Sequence, residues 1–297
     1  MKDILSQIVI LTTNITLWSG RKRLKEEDLK LVDGSQLPPA ALASLGSKKV
    51  MDPAALAVFE RLKRRAEREI LGVGSRFLNG YAVPKTRLKE LMPKLAAIEQ
   101  EFEAAKAEFL SEYDVAVESW IQANPGWEDV IRGSVENLAY VSRQLSFSIQ
   151  TFNISPHRSH RQGLEKEIGG LAEQLRQEVG QMARTCWEAS FEGKVEVGQR
   201  AIRPLRAMVD KVEGLVFLEP GLNELVAGIK SILETMPATG PVKGADFAAL
   251  CGALHLLGDI PAAATSVETL LEEDPSPVPL LPIPATRATQ PTPVQWF

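Results

Sequence analysis

Cysteine is nearly absent from this chain. Cys186 and Cys251 are the only two in 297 residues, too few for a disulfide framework, so a reducing, cytoplasmic setting is expected. Histidine is almost as scarce. His157 and His160 are three apart and could face one metal, but two imidazoles with no thiolate or carboxylate beside them leave a zinc site incomplete. No metal and no cofactor is expected. Aromatic residues make up 6% of the chain, and the apolar weight falls instead on Leu, Ala, Val and Ile, which suits helix packing better than a β-sandwich. No long apolar run exists either. The stretch 4–18 is interrupted by Ser6, Gln7, Thr12, Thr13, Asn14 and Thr16, too polar and too short to span a bilayer. With Asp3 directly after Lys2 and no small-residue cleavage site, it does not read as a signal peptide.

The common catalytic loops are missing as well. Gly193-Lys194 is followed by Val195, so a phosphate-binding loop would lack its Mg²⁺-binding hydroxyl. Gly72-Val73-Gly74 has Phe77 where a dinucleotide loop needs its third glycine. No Gly-x-Ser-x-Gly elbow occurs. The expectation is a protein that is not an enzyme.

What the chain does contain is helix. Leu88, Leu91, Leu95, Ile98, Phe102, Ala105 and Phe109 alternate in steps of three and four, the seam of a coiled coil. Tyr113, Val117 and Trp120 extend it after a stutter. From 93 to 123 such a rod is roughly 45 Å long, with Pro93 marking a kink or a true start. Asn124-Pro125-Gly126 breaks it. A second seam follows at Ile131, Val135, Leu138, Ser142, Leu145, Ile149 and Phe152, and a third at Leu164, Ile168, Leu171, Leu175, Val179, Met182 and Cys186. A short turn between long helices makes antiparallel neighbours, so the first two seams predict a helical hairpin. Gly169-Gly170 in the third suggests a close crossing or a bend.

The expected fold is therefore mainly α: long antiparallel coiled-coil-like helices forming a bundle or stalk. It carries a short N-terminal extended or β segment at 8–18 and a disordered Pro-rich C-terminal tail. Residues 1–83 read as a basic N-terminal region with one helix at about 53–71, started by Asp52-Pro53. Residues 84–192 read as the long-helix bundle and 193–260 as a short-helix region, with helices near 198–213, 221–235 and 245–257. Residues 261–297 read as the flexible tail, ending in Trp296-Phe297.

Charge is unevenly placed along this order. The net is -4, yet residues 1–83 hold 14 Lys and Arg against 9 Asp and Glu, leaving 20 against 29 for the remainder. The basic end includes Arg21, Lys22, Arg23 and Lys25, then Arg61, Lys63, Arg64, Arg65 and Arg68 with Glu60, Glu67 and Glu69 interleaved. Arg21, Lys22, Arg23, Arg61, Arg64, Arg65 and Arg68 are candidate phosphate contacts. A solvated helix face with i,i+4 pairs such as Glu60–Arg64 explains the second cluster equally. Trp296 and Phe297 on a mobile tail form a candidate docking peptide.

Six runs carry a family likeness: NITLWSGRKRL at 14–24, LGSKK at 45–49, FERLKRRAER at 59–68, RFLNGYAVP at 76–84, NPGWE at 124–128 and FLEP at 217–220. Together they resemble an uncharacterised bacterial family, a domain of unknown function carried on plasmids, conjugative elements and prophages. The resemblance covers about residues 1–260. It implies a setting beside a MoxR- or CobS-like AAA+ ATPase and a CobT-like protein with a von Willebrand factor A domain, and implies no catalytic residues. The leading expectation is a non-enzymatic helical adaptor or scaffold working with such an ATPase, self-association through the seams being open to it. The alternative is a nucleic-acid-binding protein that uses the basic N-terminal third.

Overall fold

The β-branched run near the N-terminus does become a strand, and the fold is built outward from it. A computed structural model describes residues 2–29, 44–155 and 161–259, which belong to one compact unit, Met1–Pro261. After a short helix α1 (Lys2–Gln7), strand β1 (Ile8–Thr16) takes the centre of a four-stranded antiparallel sheet. Its neighbours are β5 (Gly80–Pro84) on one side and β6 (Ser146–Phe152) on the other, with β4 (Ser75–Phe77) beyond β5. Ile10 faces Ala82 in one pairing and Phe152 in the other, so the sheet joins residues from either side of position 84.

Alternation along β1 sends its side chains to two cores. Val9 and Leu11 meet Trp18, helix α2 (Ala57–Leu71) and helix α3 (Leu88–Gln122) on one face. Ile8 and Ile10 meet Leu5, Phe77, Ile168 and Leu171 on the other, the last two from helix α6 (Arg161–Ser190). Asp52 accepts the Ala54 N–H at 2.9 Å and, with Pro53, starts the turn that leads into α2, as its sequence predicts. The buried face of α3 carries the residues of the first seam, Leu91, Leu95, Ile98, Phe102 and Phe109. Its partner is not a second long helix. Phe102 and Phe109 meet Phe59 of α2 at 5.1 and 5.7 Å between ring centres, and Phe102 meets Phe147 of β6 at 5.5 Å.

The expected helical hairpin is thus corrected. The second seam is divided among α4 (Glu128–Arg132), α5 (Leu138–Gln144) and β6. Gly133 caps α4, and Asn137 accepts the Tyr140 N–H at 2.8 Å to begin α5 afresh. Leu138, placed on the seam by spacing, is 43% exposed. From Phe147 onward the same residues also alternate by two, and the backbone groups on the second edge of β1 need partners more than α3 needs another helix.

The third seam holds as one helix with two partners. In α6, Ile168 and Leu171 lie on the sheet, while Leu175, Val179, Ala183 and Cys186 join α7 (Gln199–Leu215), α8 (Leu222–Thr235) and α9 (Gly244–Gly258). These three helices stand close to their expected spans. Strands β7 (Glu196–Val197) and β8 (Val242–Lys243) tie α7 to α9. Among the described residues no helix crosses closely at Gly169 or Gly170, where a Cβ meets nothing within 4 Å. The Pro-rich segment 261–297 with Trp296 and Phe297, the loop containing Pro38 and Pro39, and His157 and His160 lie outside the described residues.

Where α6 leaves the sheet for the helical cluster, Glu178 collects four donors. Its Oε1 accepts the Arg76 backbone N–H (3.1 Å) and Gln174 Nε2 (2.9 Å); its Oε2 accepts Ser75 Oγ (3.0 Å) and Lys211 Nζ (2.8 Å). The Lys211 side chain is 1% exposed. Burial pushes the Glu178 carboxyl up, but the Lys211 ammonium and the other donors outweigh it and hold it below its ordinary 4.5. On Lys211, which has one carboxylate for a partner, burial wins and the ammonium is lowered.

Stability supplied by Glu178 is accordingly complete above pH 4.5 and lost as pH falls through its lowered value. Glu178→Gln is expected to flatten that acid limb in urea melts between pH 3 and 7 (roughly the range in which a carboxylate titrates). Lys211→Ala and Lys211→Met both strand a buried carboxylate and are each expected to cost about 3–5 kcal/mol, and adding Glu178→Gln to Lys211→Met is expected to restore part of the loss; strictly additive losses would contradict the pairing. Two glycines give opposite signs. A Cβ on Gly80 would lie 2.7 Å from the Leu11 carbonyl oxygen, so Gly80→Ala is expected to lower stability by about 1–3 kcal/mol. Gly169→Ala, in open space on a helix, is expected to raise it by about 1 kcal/mol.

Candidate nucleic-acid interface

Two short strands and one helix arrange the basic residues. The chain leaves β1 through Trp18, which is 7% exposed and packs edge-on against Tyr113 at 5.8 Å. It turns at Gly20, whose left-handed φ of +62° suits glycine. It then pairs β2 (Arg21–Arg23) with β3 (Ser47–Lys49), so that Arg21 lies opposite Lys49, Lys22 opposite Lys48 and Arg23 opposite Ser47. Val50 N–H donates to the Gly20 carbonyl (2.9 Å), and Trp120 Nε1 donates to the Lys49 carbonyl (3.3 Å), tying this ribbon to the core.

The ribbon has two unlike faces. Lys22 and Lys48 are half-buried and neutralised, Lys22 by Glu136 and Lys48 by Asp28. The Lys48 ammonium and the Lys25 backbone N–H hold the Asp28 carboxyl below its usual range. Glu136 is itself fixed, since its carbonyl accepts the Tyr113 hydroxyl at 2.8 Å. Arg21, Arg23 and Lys49 are exposed on the other face, and no carboxylate pairs with them among the described residues. Two like charges opposite each other in Arg21 and Lys49 repel, a cost that an anion laid across the ribbon would remove.

Helix periodicity sorts α2 in the same way. Arg61, Arg64 and Arg68 fall on one side, with Arg21, around a cleft of about 670 Å³ floored by Trp18 and Phe59. Glu60 stands among them, 4.0 Å from Arg64, so the cleft keeps an excess of positive charge. Arg61 and Arg68, like Arg21, have no carboxylate partner among the described residues. Arg65 points elsewhere and forks onto Glu101 of α3 at 2.7 and 2.9 Å.

Of the seven arginines and lysines singled out by sequence, four surround one cleft, Arg23 shares the open face of the ribbon, and Lys22 and Arg65 are held in ion pairs. Lys49 was missed as a contact because a lysine pair at the end of a loop does not announce its strand partner.

Other chemistries have less to build on. Cys186 is buried and Cys251 half-buried, both free, and burial pushes both thiols up, away from the nucleophilic thiolate. Among the described residues no three His, Cys, Asp or Glu stand together as a metal site, and no helix is long and apolar enough to cross a membrane. The FLEP run is structural, because Glu219 pairs with Arg176 of α6 at 3.1 Å.

The chain matches the model of the DUF3150 family, described as a protein of unknown function, over residues 5–259, and belongs to that family. No curated protein and no solved structure matches it.

Proposed function

Starting from membership of a family whose function is open, we propose that this chain is a non-enzymatic binding protein that holds the phosphate backbone of a nucleic acid. The observation that carries the reading is the meeting of Arg21 with Arg61, Arg64 and Arg68 around one cleft, three of the four without a carboxylate partner among the described residues. Arg61 to Arg68 spans two turns of helix, about 10 Å, and Arg21, Arg23 and Lys49 continue the charge onto the ribbon. Guanidinium groups suit phosphate oxygens because their donors form a planar fork. Trp18 and Phe59 beneath them are too buried to read bases, so the cleft itself grips backbone without regard to sequence. As an adaptor the protein would act in the cytoplasm, presenting bound nucleic acid to the MoxR- or CobS-like AAA+ ATPase and the von Willebrand factor A protein that the family resemblance implies.

Fluorescence anisotropy with labelled oligonucleotides across a salt series tests this. Binding is expected to weaken steeply with salt. The triple replacement of Arg61, Arg64 and Arg68 by Ala is expected to weaken it further and reduce the log–log salt slope by roughly 2–3, with the melting temperature little changed. Binding that ignores both salt and these substitutions would overturn the proposal.

A further inference from the structure

The four-stranded sheet has two edges, β4 and β6, and they are treated differently. On β4 the edge is covered by Glu178 of α6, which accepts the Arg76 backbone N–H at 3.1 Å and the Ser75 hydroxyl at 3.0 Å. On β6 no partner meets the outward backbone groups among the described residues. Edge strands are ordinarily guarded by charge, proline, a bulge or shortness. The run SFSIQTF has seven residues with no charge, no proline and no glycine. It pairs with β1 in unbroken register from Ser146 to Phe152, so no bulge turns the edge away. Gln150, Thr151 and Phe152 are exposed.

The geometry points to β6 as a self-association edge that pairs antiparallel with β6 of a second copy, joining two four-stranded sheets into one of eight strands. The pattern of the strand argues for its own copy as the occupant. About a two-fold axis at Ile149, Phe147 falls opposite Thr151, Ser148 opposite Gln150 and Ser146 opposite Phe152. Every pair keeps its parity, so each face of the sheet continues across the axis. The face of Phe147 and Ile149, which packs on the α3 core, meets the same face of the copy. Ser148 and Gln150 meet each other on the polar side. Like charges directly opposite would repel, and this strand brings none. Such a pair is about 23 Å long and exchanges about six to eight backbone hydrogen bonds. Phe152, 46% exposed, gains neighbours from the copy.

The test is sedimentation of the full chain at rising concentration, with amide hydrogen exchange followed along β6. A reversible dimer is expected, with exchange over 146–152 slowing as it fills. Ser148 and Gln150 lie beside exposed Asn14 and half-buried Thr12 of β1, so charges placed there stay out of the core. The double variant Ser148→Lys/Gln150→Lys sets lysines against lysines and is expected to be monomeric, as is Ser148→Glu/Gln150→Glu. An equimolar mixture of the two is expected to dimerise again, a rescue that misfolded chains would not give. A dimer protected elsewhere, charged variants that dimerise as the parent does, or a mixture that stays monomeric would overturn the proposal. So would a parent chain that is monomeric throughout, and the edge would then fall to a strand from another protein.

Discussion

A carboxylate that cannot be spared sits where this fold changes character. Helix α6 buries its first turns on a sheet and its last turns among three helices, and Glu178 lies at the join. Removing an ammonium from water costs several kcal/mol unless a counter-charge is in place, and Lys211 of α7 is almost wholly removed. The carboxylate that meets it also takes the Ser75 hydroxyl and the Arg76 backbone N–H. One side chain thus fixes α7 and the β4–β5 hairpin against the same helix. Arg87, just past β5, adds a hydrogen bond to the Asp210 carbonyl at 3.3 Å. The hairpin then positions β1 through the register Ile8 to Pro84, and β1 delivers the chain to Trp18 and the ribbon.

From there the arrangement of charge follows from two periodicities. Alternation by two along the ribbon turns Lys22 and Lys48 onto acids of the protein and leaves Arg21, Arg23 and Lys49 outward. The helical repeat of α2 puts Phe59, Leu62, Ala66 and Ile70 into the core, sends Arg65 to Glu101, and gathers Arg61, Arg64 and Arg68 on the side that Arg21 reaches. Among the described residues, the basic side chains of this region therefore divide into a set held in internal pairs and a set with no carboxylate partner. The second set is the one that an external anion would complete.

Local signals were legible where one force decided the outcome. The Asp52-Pro53 helix start, the apolar face of α3, the continuity of α6 and the three C-terminal helices could be read from capping and spacing. The second seam misled because two periods coincide in it. Ile149 and Phe152 fit a heptad, and Phe147, Ile149 and Thr151 fit a strand, so the choice fell to the unpaired edge of β1, which is distant in sequence. The β4–β5 hairpin was hidden for a related reason. Its turn places Leu78 and Asn79, not an Asn-Gly pair, at φ of +47° and +60°. The close approach that requires glycine at position 80 is to Leu11, far away in the chain. The basic residues were visible by type, but their division into paired and unpaired needed the partners Glu136, Asp28 and Glu101.

The central claim is that nucleic acid lies along the ribbon and α2, and photocrosslinking addresses it most directly. Oligo-dT carrying 4-thiothymidine would be irradiated with the protein, and the adducts located by mass spectrometry. The account predicts adducts within residues 17–23 and along 61–68, lost when salt is raised. Adducts confined to helices α6 to α9, or spread without preference over the surface, would contradict it.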